Sequence, residues 1–179
     1  RQMCIRDRGT RVITGAQIQR YYITDTPSQG NVIYINDQNK PGLSSKREQE
    51  VSNPRIVLQR ITGVDSKVRI ISTLINGHMY CANSTNYIAN DNSINIKYLL
   101  GVLNSSLVNF FIKQTSTNTN ITAKVLNSIP IIFPSTKMQE AIIRIVDYVL
   151  IIKSLPSDII IDQYVDNDVM ARQFENVID

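Results

Sequence analysis

The sequence has little of what metal and redox centres are made from: two cysteines, one histidine and no tryptophan among its 179 residues. Cys4, Cys81 and His78 cannot supply a Cys/His zinc cluster, and a single bridge would not make a disulfide framework. Such sparse cysteine favours a reducing, cytoplasmic setting. Long hydrophobic runs are missing too. The most apolar stretch, Ala141 to Ile152, is interrupted by Arg144 and Asp147, so neither a membrane span nor a signal peptide is expected. With 42% hydrophobic and 19% charged residues, seven glycines and six prolines, the chain is neither collagen-like, a coiled-coil rod nor a charged disordered tail. The motifs Gly-x-Gly-x-x-Gly, Gly-Lys-Ser/Thr, Gly-x-Ser-x-Gly and His-Glu-x-x-His are absent, and serine, cysteine and zinc hydrolase readings lose support.

What is present is a partition of charge. The net +4 divides into twelve Lys/Arg against six Asp/Glu over residues 1–70, three against one over 71–134, and four against eight over 135–179. A basic part able to meet a polyanion is thus joined to an acidic part. The first eight residues fit no strand or helix period and read as a non-native scar. Without them the first stretch is still basic, at nine against five.

From Gly9 onward the pattern is first that of short strands. Asn31–Ile35 and Arg55–Ile61 are β-branched, and the second places Ile56, Leu58 and Arg60 on one face. Turn formers and charges between Asn36 and Asn53 read as a long loop. Lys67–Ile75, Asn76-Gly77 and His78–Asn83 predict a hairpin closed by a type I′ turn. The period then becomes helical. Leu99, Leu103, Leu107 and Phe110 or Phe111 predict one buried helix over Ile96–Lys113, followed by a polar loop at Thr115–Asn120 and an extended segment, Ile129–Phe133. Thr136 and Gln139 have capping-box spacing for a second helix reaching Lys153, with Met138, Ile142, Ile145, Val149 and Ile152 on one stripe. After a Ser-Leu-Pro-Ser linker, Met170, Phe174 and Ile178 mark a final helix with no stop signal, which reads as truncated.

Catalytic constellations are weak. His78 follows a turn and reads as a surface residue, and Cys81 reads as a small core residue. Asp65-Ser66-Lys67 has the Asp-x-Lys spacing of magnesium nucleases, but no convincing second carboxylate precedes it, and Gly63–Ser66 has turn composition. Arg11, Arg20, Tyr21, Tyr22, Lys40, Lys46, Arg47, Arg55, Arg60, Lys67 and Arg69 combine cations for phosphates with planar groups, in a region rich in Asn and Gln suited to adenine edges.

Several segments, taken in order, resemble one family. Thr14-Gly15-Ala16-Gln17-Ile18-Gln19-Arg20-Tyr21-Tyr22 is similar to the Gly-x-x-Ile-x-Arg-Tyr start of the target recognition domain of adenine-N6 DNA methyltransferases of the type IIG and Taq-like restriction-modification group. Pro54–Ile61 resembles the strand of that family ending in Arg-Ile, and Tyr98–Leu107 resembles its Leu-Leu-Gly-x-Leu-Asn-Ser helix. Ile129-Pro130-Ile131 with Gln139, Ile142, Ile143, Val146 and Asp147 resembles a junction shared with type I restriction specificity subunits. Glu175–Asp179 resembles the start of a further family helix. The resemblance implies a module reading DNA for a catalytic domain that flips an adenine out and methylates it from S-adenosylmethionine. That domain's Asn/Asp-Pro-Pro-Tyr/Phe and cofactor motifs do not occur in this sequence.

The expectation is an α+β fold: a mixed or antiparallel sheet from residues 10 to 92 with a packed helix, followed by a helical spacer like that of type I specificity subunits. Its divisions are a scar at 1–8, a DNA target recognition domain at 9–134, a spacer or docking helix at 135–153, and a linker with a truncated helix at 154–179. Double-stranded DNA is the expected partner, together with a methyltransferase domain in the same parent chain; no membrane contact is expected. Arg20, Tyr21, Lys46, Arg47, Arg60 and Lys67 are the candidate DNA contacts, with bases read by the loop from Asn36 to Asn53 and Thr115–Asn120 as a second candidate. No catalytic, metal or cofactor residues are assigned here. S-adenosylmethionine belongs to the implied parent, with magnesium if that parent also cleaves. The alternatives are half of a type I specificity subunit, or a magnesium nuclease using Asp65 and Lys67.

Overall fold

The computed structural model describes residues 9–36, 42, 44–155 and 167–178. The segment 1–8, Lys40 and the stretch 156–166 that follows the Ser-Leu of the linker lie outside the described residues. The fold is α+β, built from short strands followed by helices.

β5 (Arg55–Gln59) is the hub. Its residues Ile56, Val57 and Leu58 are all fully buried, because layers cover both faces of the strand. Ile56 and Leu58 enter a cluster with Leu100, Leu103, Val108, Ile112, Val146 and Val149 from the helices. Val57, pointing the other way as strand alternation requires, packs with Ile13, Ile18 and Ile75. Each such side chain contributes about 1.5–3 kcal/mol on burial. β5 runs antiparallel to β6 (Ser72–Ile75), with Leu58 opposite Ser72, and to β8 (Thr85–Ala89), with Gln59 opposite Thr85. A second sheet has the order β4-β1-β7, where β1 (Thr10–Ile13) pairs antiparallel with β4 (Ile33–Ile35) and parallel with β7 (Tyr80–Cys81). β2 (Ile18–Gln19) and β3 (Tyr22–Ile23) form a small separate hairpin.

The expected Asn76-Gly77 hairpin does not form. β6 pairs with β5 while β7 pairs with β1, so Asn76-Gly77 carries the chain from one sheet to the other. Only Gly77 of the two has a positive φ, whereas a type I′ turn needs both. The expected loop at 36–53 also contains structure. Ser44 caps α1 (Ser45–Ser52), accepting from the Arg47 amide at 3.4 Å, and the helix is tied down through its C-terminal carbonyls rather than an apolar face. The buried guanidinium of Arg55 donates to the carbonyls of Val51 at 2.5 Å, Asn53 at 3.3 Å and Met79.

The predicted Ile96–Lys113 helix is two helices. α2 (Ile96–Asn104) stops and α3 (Ser106–Thr115) begins at Ser105, whose hydroxyl donates to the Val102 carbonyl at 2.7 Å and caps α3 by accepting from the Val108 amide. Immediately before the break, Asn104 fastens α2 to β6. Its Oδ1 accepts from the Ser72 amide and hydroxyl, and its Nδ2 donates to the Ser72 carbonyl. A short α4 (Ala123–Asn127) leads to the extended segment and α5 (Thr136–Ser154). Ser135, not Thr136, is the N-cap of α5, and no side chain closes a capping box there; Gln139 donates instead to the Pro134 carbonyl. α5 packs against α2 and against α6 (Asn167–Ile178), placing Val146 and Val149 in the core. Among the described residues, no helix is long and apolar enough to cross a membrane.

Candidate nucleic-acid interface

Four segments converge where β5 ends. The Gln59 amide donates to Ile71 O, the Arg60 amide to Ser84 O, and the Ile121 amide to Arg60 O at 2.7 Å, while Thr62 N bonds Thr119 O. Arg69 fixes this junction from beneath. Fully buried, it donates to the Thr62 hydroxyl and to the carbonyls of Ser116 and Asn118. The polar loop at Thr115–Asn120 is therefore a shaped wall, not a loose connector.

Beside this junction lies an open cleft of about 590 Å³, lined by Thr14, Gly15, Gln19, Gln29, Asn31, Gln59, Ile61 and Ser84 among others. Four of its lining residues, Gln19, Gln29, Asn31 and Gln59, carry carboxamides. Gln59 Nε2 donates to the Ile18 carbonyl at 2.8 Å, which sets the direction of its carboxamide. The Gly15 amide donates to Ser84 Oγ at 2.9 Å, and a Cβ at Gly15 would lie 2.7 Å from the Ser84 carbonyl oxygen, so only glycine lets these two walls meet. Gln19 borders the cleft and also a smaller notch of about 250 Å³ lined by Arg20, Tyr22, Val68, Ile71, Lys153 and Glu175.

The six predicted contact residues are not one patch. Arg60 and Lys67 are exposed near this junction; Arg60 donates to the Asn83 carbonyl at 3.2 Å, and the Lys67 carbonyl accepts from Asn109. Lys46 and Arg47 are exposed on α1, at the other end of β5, roughly 15 Å away by strand rise. There Tyr87 donates to Glu50 at 2.8 Å; partial burial, then that bond, raises the Tyr87 pKa above the usual phenol range. Arg20 is engaged within the fold, donating to Asn104 O at 2.7 Å and lying 3.5 Å from Glu175. Tyr21 is a core residue, 1% exposed, with φ of 68° at the tip of the β2–β3 hairpin. It cannot stack on a base, so its assignment as a DNA contact is corrected: its ring fills the core. Asp65 is exposed in the Gly63–Ser66 turn, and no cluster of His, Cys, Asp or Glu that could hold a metal occurs among the described residues.

The sequence model of the TaqI-like C-terminal specificity domain family matches residues 10–131. The chain belongs to that family. The matched segment of the specificity domain holds both sheets, α1 to α4, the cleft and the junction beneath it. A solved structure, that of the type IIL restriction-modification enzyme MmeI in complex with DNA, is similar with a TM-score of 0.59 and 13% identity. The likeness covers 96% of this chain, and so reaches beyond the family match into α5 and α6, but only 27% of that enzyme. At this identity it is a likeness of fold. Comparison with curated proteins gave no match.

Proposed function

We propose that this specificity domain reads duplex DNA sequence for an adenine-N6 DNA methyltransferase of the type IIG restriction-modification group. The observation that carries the reading is the amide-lined cleft with exposed Arg60 and Lys67 near it, in a member of a specificity-domain family. Arginine and lysine suit phosphate oxygens, which position a duplex without reading it, whereas Gln and Asn match the donor–acceptor pairs of base edges in the major groove. MmeI, similar in fold, was solved with DNA. Methyl transfer belongs to a catalytic domain elsewhere in the parent chain, where S-adenosylmethionine would bind, with magnesium if the parent also cleaves. A cytoplasmic setting, where DNA is met, follows from that role. The nuclease alternative gains no support from an Asp65 that stands in an exposed turn, with no metal-holding cluster of His, Cys, Asp or Glu among the described residues. Nor does the type I alternative gain any from α5, which packs on α2 and α6.

The test is binding of the purified chain to mixed-sequence duplexes across a salt series. The logarithm of affinity should fall linearly with the logarithm of salt. Salt-independent binding, or none at low ionic strength, overturns the reading.

A further inference from the structure

We propose that Gln19 is a specificity-determining residue of this domain, its carboxamide reading the major-groove edge of an adenine seated at the cleft. The inference rests on the DNA-reading function proposed above and names the side chain that does the reading.

The residues around Gln19 are committed to the fold. Gly15 touches Ser84 through backbone. Gln17 is fully buried, its Oε1 accepting from the amide and hydroxyl of Thr14. Ile18 is buried, and its carbonyl accepts from Gln59. Arg20 donates to Asn104 and faces Glu175, and Tyr21 fills the core. Gln19 differs from all of them. It is half-buried, borders both the cleft and the notch, and among the described residues its side chain makes no hydrogen bond. In the Gly-x-x-Ile-x-Arg-Tyr pattern that this segment resembles, Gln19 falls on an unspecified position, as does Gln17, but Gln17 is buried and bonded to Thr14. A domain that must read different sites on one scaffold needs such a position.

The chemistry suits a base edge. A carboxamide sets an acceptor beside a donor, the complement of N6–H and N7 on adenine, and a glutamine used in this way makes a bidentate pair. The platform is rigid. Gln19 pairs with Tyr22 in a hairpin closed by two residues, and Tyr21 anchors the tip in the core, so little backbone freedom is lost when a base arrives. Gln59, Gln29 and Asn31 offer further donors and acceptors to neighbouring atoms of the same edge. Glu175 between Arg20 and Lys153 offsets positive charge in the notch, which leaves phosphate contact to Arg60 and Lys67.

The experiment selects bound duplexes from a randomised library with the full chain and with Gln19→Ala, Gln19→Met and Gln19→Glu, melting temperatures being recorded for each. The wild-type chain should enrich a motif in which adenine is preferred about tenfold or more at one position. Gln19→Ala and Gln19→Met should reduce that preference to about twofold at that position alone, and Gln19→Glu should move it to cytosine, whose N4 amino group a carboxylate accepts from. Wild-type binding with an identical motif in all three variants overturns this assignment and leaves DNA reading standing. A uniform loss of affinity for every sequence also overturns it, since a phosphate or structural contact behaves that way. No binding of the wild-type chain to any duplex overturns the proposed function itself.

Discussion

Arg20 in the β2–β3 turn and Glu175 in α6 come from opposite ends of the sequence and meet at 3.5 Å, with Lys153 of α5 4.0 Å from the same carboxylate. Glu175 is only 8% exposed, and these two cations help to stabilise its buried charge. Glu175→Gln should lower stability by about 1–3 kcal/mol in urea denaturation, less than a fully dry pair would cost because Arg20 keeps some contact with water. An unchanged midpoint would show that α6 is held by its apolar face alone.

Arg69 gives a stronger expectation. Its guanidinium is fully buried and donates to neutral oxygens, one hydroxyl and two carbonyls. Arg69→Lys keeps the charge but cannot span all three, and should cost about 3 kcal/mol or more by chemical denaturation. Loss of duplex binding should accompany it even under conditions where the variant stays folded, because the 116–120 wall of the junction is released.

Among the exposed cations, position separates those expected to touch DNA. Arg60→Ala and Lys67→Ala should each reduce the slope of log affinity against log salt by about 1. Arg47→Ala, at the opposite end of β5, should leave the slope unchanged. Equal effects at all three sites in anisotropy titrations would place the duplex along the whole sheet.

Tyr21→Phe should bind DNA like the parent chain, and Tyr21→Ala should unfold more easily by about 3–5 kcal/mol, as for a core aromatic. A Tyr21→Phe variant that keeps its melting temperature but loses DNA affinity would restore the hydroxyl as a contact.

Gly15→Ala probes the cleft wall. The added carbon meets the Ser84 carbonyl at 2.7 Å, and since that neighbour is backbone, the two walls must part. About 1–3 kcal/mol of stability should be lost. Sequence preference at the Gln19 position should broaden, measured in the same library selection.

Much of the architecture was legible because it is written locally. The apolar stripe from Met138 to Ile152 marks α5 to within two residues of its ends, and the β-branched run at Arg55–Ile61 marks β5, which stops at Gln59. What was not legible depends on partners distant in sequence. Asn76-Gly77 carries a strong local hairpin signal, yet β7 finds its place beside β1, a choice that no local pattern encodes. α1 has no buried residue and so no apolar period; Ser44 three residues before Arg47 was its one signal. At the candidate site, residue type drew notice to Arg20 and Tyr21, but a cation and an aromatic can equally latch and fill a fold. Gln19 gave no signal, since a lone amide becomes informative only when the structure shows what it faces.

The parallel pairing of Val12 and Ile13 with Tyr80 and Cys81 also orders events in time. During synthesis, β1 can pair with β4 early, but its other edge stays open until the strand beyond Asn76-Gly77 has been made. The Ala82 amide then closes onto the Ile13 carbonyl at 2.9 Å. Long-range parallel contacts of this kind form slowly, because a large loop must be ordered before they are gained. The cleft wall at Ser84, which lies just past that strand, should be among the last parts of the interface to appear, so that a nascent chain gains its DNA-reading surface only after its second sheet has closed.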